Sequence, residues 1–176
     1  NPNQIAKLLK KSKIIGLIEG NMEFGPRALG ARSILAEPSD YGKNYSINKR
    51  LNRVEYMPFA PVILKEFANE ILEGWSEKHK SSKHMTLTYK VHPKWVKKLK
   101  GVVHKDGTVR PQVIDKTDNK FYYSIVYAFF KLTGIPVLIN TSFNRHGEPM
   151  VRTHKEAIDV LKNKKIDHLI SNGKIY

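Results

Sequence analysis

The sequence predicts a single-domain α/β protein, because helical patterns alternate with short strand patterns along the chain. An amphipathic helical pattern capped by Asn3 precedes a β-branched apolar run at residues 13–19. The most apolar helical pattern, at 121–132, precedes a continuous apolar run at 135–139. A strand pattern at 167–170 follows the last helix in the same way. Steps of this kind are typical of a sheet flanked by helices.

The other elements follow from the same spacing rules. Pro58 and Pro61 lack the backbone N–H that a sheet needs, so residues 56–64 suit an edge strand or an extended segment. Thr153 and Glu156 have the spacing of a capping box at the start of the last helix. In chain order, the remaining predictions are a short apolar piece at 33–36, a helix at 46–51, a helix at 65–75, a disordered surface loop at 76–84, a strand at 85–91, a basic helix-like stretch at 93–101, a hairpin on Asp106-Gly107 and a strand at 112–114.

Length and composition bound the class of protein. The 176 residues suffice for one domain with a full core, and no apolar run approaches the roughly 18 residues of a membrane helix. The chain has no cysteine, which excludes disulfides and thiolate chemistry and favours a reducing compartment, so we expect the cytoplasm. It begins at Asn1 without a basic and apolar leader, and we therefore expect residues 1–176 to be a fragment of a longer protein.

The formal net charge is +15, from 31 Lys and Arg against 16 Asp and Glu. This charge attracts polyanions, such as nucleic acid, nucleotides, phosphorylated metabolites or an acidic partner surface. Much of the lysine lies in clusters at 7–13, 94–100 and 162–165, which are typical of solvated faces. Charge by itself does not choose among these partners.

A Gly-rich loop at residues 19–33 follows the first predicted strand. Gly25, Gly30 and Pro26 set the backbone shape, while Arg27 and Arg32 offer planar guanidinium groups that match phosphate or carboxylate oxygens. The loop therefore predicts an anion site at the end of a strand. The alternative is a tight turn whose arginines pair with nearby carboxylates, which are Glu19, Glu23 and Glu37.

A second polar loop follows the apolar run at 135–139, with two amides and two hydroxyls at Asn140, Thr141, Ser142 and Asn144. Such groups bind a base, a ribose or a carbamoyl-sized amide at a sheet edge. The alternative is an Asx or Ser/Thr turn that caps its own backbone. Arg110 is a third guanidinium that could converge on the first two, or a surface arginine on a strand.

Several familiar catalytic motifs are absent from the sequence. No strand leads into GxGxxG, and there is no GxxxxGK[ST], no zinc-helix pair of histidines and no GxSxG elbow. Arginines, amides and hydroxyls near strand ends remain. They suit electrostatic stabilisation of a phosphoryl or adenylyl transfer better than covalent catalysis.

Four strings, in this order and spacing, carry a resemblance to a known family: EFGPRALGARSILAEP, MPFAPVIL, HKDGTVRPQVI and GIPVLINTSFNRHGEPMV. The chain resembles the C-terminal domain of carbamoyltransferases of the NodU/CmcH type. The resemblance runs from about residue 14 to the C-terminus. It implies a YrdC-like fold, a twisted mixed sheet flanked by helices, over residues 1–176.

The resemblance also implies an activity. Such a domain binds ATP, Mg²⁺ and carbamoyl phosphate and forms carbamoyl adenylate, and a separate N-terminal Kae1-like domain with its own metal moves the carbamoyl group to a hydroxyl acceptor. By resemblance, Arg27 and Arg110 would clamp phosphate oxygens in a catalytic role, and Ser142 and Asn144 would line the adenylate pocket. Other residues would support the two loops, namely Arg32, Ser33, Asn140 and Thr141.

The chain departs from the family pattern before PFAP. Met57 stands in place of an arginine, and Asn52 or Leu51 in place of a lysine. Lys49, Arg50 or Arg53 could substitute for these cations, and Lys49 and Arg53 are included among the predicted ligand-binding residues. The alternative to an enzyme is a non-catalytic YrdC-like domain that binds double-stranded RNA or a nucleotide on a basic concave face.

Overall fold

A computed structural model describes residues 1–53 and 59–176 of the chain. The elements in chain order are α1 (Pro2–Lys10), β1 (Ile15–Ile18), β2 (Arg32–Ala36), α2 (Gly42–Arg50), β3 (Ala60–Leu64), a 3₁₀ turn (Lys65–Phe67), α3 (Ala68–Ile71), a second 3₁₀ turn (Lys80–His84), β4 (Tyr89–Lys90), α4 (Pro93–Val96), β5 (Thr108–Val109), β6 (Gln112–Ile114), α5 (Lys120–Thr133), β7 (Val137–Ser142), α6 (His154–Lys162), β8 (His168–Ser171) and β9 (Lys174–Ile175).

A mixed seven-stranded sheet forms the centre, with strand order β6-β3-β7-β2-β1-β8-β9. Strand β7 is antiparallel to both β2 and β3, whereas β3 is parallel to β6 and β1 is parallel to β8. Strands β4 and β5 pair with each other in a separate antiparallel ribbon. The order places β7 between the strand that follows the Gly-rich loop and the strand that begins after Phe59.

Helices cover both faces of this sheet. Side chains of β1 alternate, so that Ile15 and Leu17 pack with α1 and α5, while Ile14 and Ile18 belong to the cluster that includes α2 and α6. Gly16 lies where a Cβ atom would come within 2.5 Å of the Phe143 ring. No helix within the described ranges combines the length and the apolar character needed to cross a bilayer.

The strongest sequence patterns are confirmed. Helix α5 occupies Lys120–Thr133, and Asn119 caps it by accepting a hydrogen bond from the backbone N–H of Tyr122. The capping box at α6 forms as predicted between Thr153 and Glu156. The predicted strands at 13–19, 135–139 and 167–170 correspond to β1, β7 and β8, and the short apolar piece at 33–36 lies within β2.

Weaker patterns were wrong in part, because packing overrides local spacing. Strand β3 is not an edge strand, since β6 and β7 flank it. Its pairing with β6 begins at Val62, one residue after Pro61, so the N–H that Pro61 lacks removes no hydrogen bond to β6. Strand β5 pairs with β4 rather than with a strand before Asp106. The helix at 65–75 ends at Ile71. The loop at 76–84 is ordered by a hydrogen bond from Trp75 Nε1 to Ser82 Oγ.

Candidate active site

A single carboxylate shapes the Gly-rich loop between β1 and β2. Glu23 Oε1 accepts hydrogen bonds from the backbone N–H groups of Leu29 at 2.6 Å, Ala31 at 2.7 Å and Arg32 at 3.1 Å. The alternative, in which the loop arginines pair with nearby carboxylates, fits Arg32 only in that the charge of Glu23 acts on its guanidinium, and Arg27 forms no ion pair with any residue in the described ranges. The guanidinium of Arg27 is therefore left for other contacts.

The loop packs closely against α5 at Gly30. The φ angle of Gly30 is +111°, and a Cβ atom there would lie 2.3 Å from the ring of Tyr122. Its backbone N–H donates to Ser33 Oγ at 3.0 Å. Only glycine meets both requirements, which are a positive φ and an approach that leaves no room for a side chain.

Two buried amides attach the loop to the sheet. Asn140 Nδ2 donates to the carbonyl of Ala28 at 2.9 Å and to Gln112 Oε1 at 2.8 Å. Gln112 Nε2 in turn donates to the carbonyl of Leu29 at 2.9 Å. This network holds residues from β6, from β7 and from the Gly-rich loop in fixed relative positions.

A cavity of about 210 Å³ opens beside this network. Residues from distant parts of the chain line it: Pro26, Arg27, Ala28, Arg53, Phe59, Ala60, Met85, Arg110, Asn140, Thr141, Ser142, Asn144, His146 and Gly147. A second cavity, of about 510 Å³, shares Pro26, Arg27, Met85 and Arg110 with the first. Arg27 and Arg110 therefore border both cavities.

The two arginines create a strongly positive site. Burial lowers the pKa of Arg110, and the positive charge of Arg27 lowers that pKa further. Neither guanidinium forms an ion pair with another residue of the described part of the chain. No carboxylate of the described residues lies between these two cations, and an anionic ligand would relieve their mutual repulsion.

Arg53 joins the second polar loop to the end of α2. Its Nη1 donates to Thr141 Oγ1 at 2.9 Å, and its Nη2 donates to the carbonyl of Ser142 at 2.9 Å and reaches Asn144 Oδ1 at 3.3 Å. The guanidinium carbon lies 5.7 Å from the centre of the Phe59 ring. Burial lowers the pKa of Arg53. Arg53 thus orders the lining of the cavity while carrying a charge beside it.

The structure brings together most, but not all, of the predicted ligand-binding residues. Arg32 is 6% exposed and donates to the backbone carbonyls of Gly20, Ala31 and Arg152, so it supports the loop and does not line the cavity. Ser33 likewise serves the loop by accepting from Gly30. The remaining cations near α2 also lie outside the cavity, with Lys49 over the ring of Tyr45 and Arg50 paired with Asp167.

Some residues that matter here were missed or lie beyond the described ranges. Glu23 and Gln112 were not predicted as organising groups, although an acid among glycines and an amide after Arg110-Pro111 were visible signals. Met85 was assigned to a strand and instead lines the cavity in a left-handed conformation, with φ of 57°. Met57, where the family pattern has an arginine, lies outside the described residues.

No group of three His, Asp or Glu side chains within 1–53 and 59–176 comes together in a way that could hold a metal ion.

Comparison with solved structures defines the fold class. The chain is similar to full-length HypF in its phosphate- and nucleotide-bound form, with a TM-score of 0.67 and 20% identity over 97% of this chain and 24% of that one. It is also similar to a Sua5 variant from P. abyssi, with a TM-score of 0.59 and 15% identity over 94% of this chain and 44% of that one. The predicted YrdC-like fold is confirmed.

Sequence comparison then identifies the family. Residues 6–176 match the family model described as carbamoyltransferase C-terminus. The chain belongs to that family, as its resemblance predicted.

The curated relatives are much longer than this chain. The chain is 43% identical to the uncharacterized protein MJ1051 of Methanocaldococcus jannaschii over 96% of its own length and 32% of the relative. It is 37% identical to nodulation protein NolNO of Sinorhizobium fredii over 96% of its length and 25% of the relative. Nodulation protein NolO of Bradyrhizobium diazoefficiens is 36% identical, with 94% and 30% covered. The chain thus spans about a third or less of these relatives.

Proposed function

We propose that the chain is the ATP-using domain of an O-carbamoyltransferase and forms carbamoyl adenylate at the cavity between the two polar loops. The proposed reaction consumes carbamoyl phosphate, ATP and water and yields carbamoyl adenylate, pyrophosphate and phosphate. The observation that carries the proposal is the convergence of Arg27 and Arg110 with the Ser142 and Asn144 loop on one cavity. Membership of the carbamoyltransferase family favours this reaction among those that use anionic substrates.

The chemistry of the lining fits negatively charged substrates. Guanidinium groups have only hydrogen-bond donors and keep their charge, so Arg27 and Arg110 would bind phosphate oxygens and neutralise the charge that repels an attacking oxygen. Ser142 Oγ donates to Asn144 Oδ1 at 2.6 Å, and Arg53 holds both residues in place. These contacts order the loop before a ligand arrives, which lowers the entropy cost of binding.

The lining of the cavity does not suit magnesium as it suits phosphate. The described lining of the cavity includes no carboxylate, so these residues do not form a Mg²⁺ site by themselves. When bound with ATP, the ion would neutralise phosphate charge.

Binding of ATP tests the proposal. By isothermal titration calorimetry we expect Arg110→Ala to weaken ATP binding by about 10- to 100-fold, because it removes charge-assisted hydrogen bonds to phosphate. Arg152→Ala is a matched control, since its side chain is 74% exposed and lies outside the cavity. Equal affinities for ATP in the wild type and in Arg110→Ala would contradict the proposed clamp.

The double-stranded RNA alternative predicts a different response. Because nucleic-acid binding releases counterions, RNA affinity would fall steeply between about 0.05 and 0.2 M salt and would be indifferent to carbamoyl phosphate. A gel shift at the two salt concentrations, with and without carbamoyl phosphate, separates the two functions. RNA binding of this kind together with no ATP binding would favour the alternative.

The acceptor step belongs to the rest of the protein in this proposal. The chain spans 25% to 32% of the relatives named above, which leaves room for an N-terminal Kae1-like domain that transfers the carbamoyl group to a hydroxyl. A location in the cytoplasm, where ATP is available, is part of the same proposal. Transfer to acceptor would then require the longer protein, whereas adenylate formation would need only this chain.

A further inference from the structure

His146 lies on the turn that follows the second polar loop. Its backbone N–H donates to the carbonyl of Leu51, just after α2, at 3.2 Å. Within the same turn, Asn144 Nδ2 donates to the carbonyl of Glu148 at 2.8 Å. The turn is thus attached to α2 and closed on itself, and it holds His146 where the residue lines the cavity of about 210 Å³.

The imidazole of His146 is accessible and has no competing partner. The residue is exposed, and its side chain forms no hydrogen bond or ion pair with any residue in the ranges 1–53 and 59–176. Two other histidines differ in this respect, since His104 Nδ1 lies 3.2 Å from Thr108 Oγ1 and His154 Nδ1 lies 2.9 Å from Ser171 Oγ. The ring of His146 is therefore available to a ligand or to water in the cavity.

Among the described residues that line this cavity, His146 alone has a side chain that exchanges a proton near neutral pH. The other ionisable groups of the lining are the guanidinium groups of Arg27, Arg53 and Arg110, which keep their protons. The polar groups that remain are amides and hydroxyls. An imidazole, in contrast, changes its protonation between about pH 5 and 8. A reaction step in this cavity that moves a proton would therefore use His146.

The proposed reaction divides into two steps that differ in proton transfer. In the first step, the oxygen of water bonds to the carbamoyl carbon of carbamoyl phosphate and the water must lose a proton. The bond from that carbon to the phosphate oxygen breaks, which yields phosphate and carbamic acid, and the acid ionises to carbamate. In the second step, a carbamate oxygen attacks the α-phosphorus of ATP and displaces pyrophosphate without any proton transfer. A general base is therefore needed only in the first step.

We propose that His146 is the general base of the first step. Its imidazole accepts a proton from the attacking water and returns that proton to the departing phosphate. The inference rests on the proposed function and deepens it, because it assigns the hydrolytic step to a group that the adenylation step does not use. Arg27 and Arg110 would neutralise phosphate charge in both steps.

Carbamate supplied directly separates the two steps in an experiment. Pyrophosphate release is measured with ATP and either carbamoyl phosphate or freshly dissolved ammonium carbamate, and bicarbonate without ammonia is the blank. We expect His146→Gln to slow the reaction of carbamoyl phosphate by about 100-fold or more, which is the usual contribution of a positioned base. The reaction of carbamate should stay close to its wild-type rate, because it bypasses the step that needs the base.

His84→Gln is the matched control, because His84 is also exposed and lines the second cavity, which shares Arg27 and Arg110 with the first. We expect this variant to keep both reactions. His146→Ala gives the same comparison if circular dichroism shows that His146→Gln does not fold. The inference would be overturned if the His146 variant lost both reactions equally or neither, or if His84→Gln lost the carbamoyl phosphate reaction instead. A wild-type chain that released no pyrophosphate from either substrate would count against the proposed function itself.

Discussion

At the scale of single residues, some arginines have guanidinium groups that bind other parts of the protein, whereas others face a cavity. Arg32 donates to backbone carbonyls, Arg50 pairs with Asp167 at 2.9 Å, and Arg53 binds the oxygens of the second polar loop. Arg27 and Arg110 have no ion-pair partner in the described ranges and share one cavity. These two arginines, which lack a counter-charge among the described residues, are thus the ones that a ligand would be expected to neutralise.

Two glycines of the Gly-rich loop differ in how much space surrounds them. Gly25 and Gly30 both have positive φ, +119° and +111°, but a Cβ atom at Gly25 would meet nothing within 4 Å, whereas one at Gly30 would overlap the Tyr122 ring. We expect Gly25→Ala to cost about 1 kcal/mol for the backbone, and Gly30→Ala to cost about 1–3 kcal/mol more for the overlap. Urea denaturation measures both. Equal losses would mean that the loop yields freely at Gly30.

At the scale of elements, Asp167 connects three of them. Its carboxylate at the start of β8 accepts from the backbone N–H of Ile14 before β1 at 2.7 Å and from Arg50 at the end of α2 at 2.9 Å. Burial by itself would raise the pKa of Asp167, but the Ile14 hydrogen bond and the Arg50 charge outweigh it, so the pKa lies below the usual 3.8. The ionised form is therefore the one that the fold stabilises.

The direction of this pKa shift predicts how stability depends on pH. The stabilisation is complete above the unfolded-state pKa and is lost as the pH falls through the lower, folded-state value. We expect the free energy of unfolding of the wild type to fall more steeply below about pH 5 than that of Asp167→Asn, which should lose about 1 kcal/mol at neutral pH. Urea denaturation between neutral and acid pH measures both slopes.

Asp159→Asn is the control for this comparison, because it removes one carboxylate from the exposed face of α6. Parallel pH profiles for the wild type and Asp167→Asn would show that the Asp167 contacts contribute nothing to acid unfolding.

At the scale of the whole molecule, the central sheet separates two apolar clusters and belongs to both. Strand β7 supplies Leu138 to the cluster under α5, and Val137 and Ile139 to the cluster on the other face. Because every strand of this sheet except β9 has side chains in both clusters, neither cluster can be lost without exposing the other. A single cooperative unit is the expected result.

Spectroscopy can test this cooperativity. Trp75 and Trp95 both lie in one cluster, so their fluorescence reports that side, while far-ultraviolet circular dichroism reports the helices on both faces. We expect the two urea transitions to have the same midpoint. Separate midpoints, with fluorescence changing first, would indicate that the region around α3 and α4 unfolds independently of the sheet.

Local sequence predicted the elements whose signals are strong and short in range. The 3.6-residue spacing of α5, the capping box of α6 and the apolar runs of β1 and β7 each concern neighbours within one element, so the pattern contained the whole cause. Whether residues 85–91 form a strand, and whether β3 lies at an edge, depended on which distant segment packs beside them. Local spacing carries no information about such distant partners.

The sequence by itself determined that this chain has a carbamoyltransferase-like set of motifs, a strongly positive charge and two polar loops after apolar strands. Only the tertiary structure decided that Arg27, Arg110 and Asn140 face one cavity, whereas Arg32 and Lys49 do not. The physical reason is that the strand order brings β7 between β2 and β3, so residues more than a hundred positions apart in the chain become neighbours. Whether a polar group is satisfied by the protein or left for a ligand follows from those neighbours.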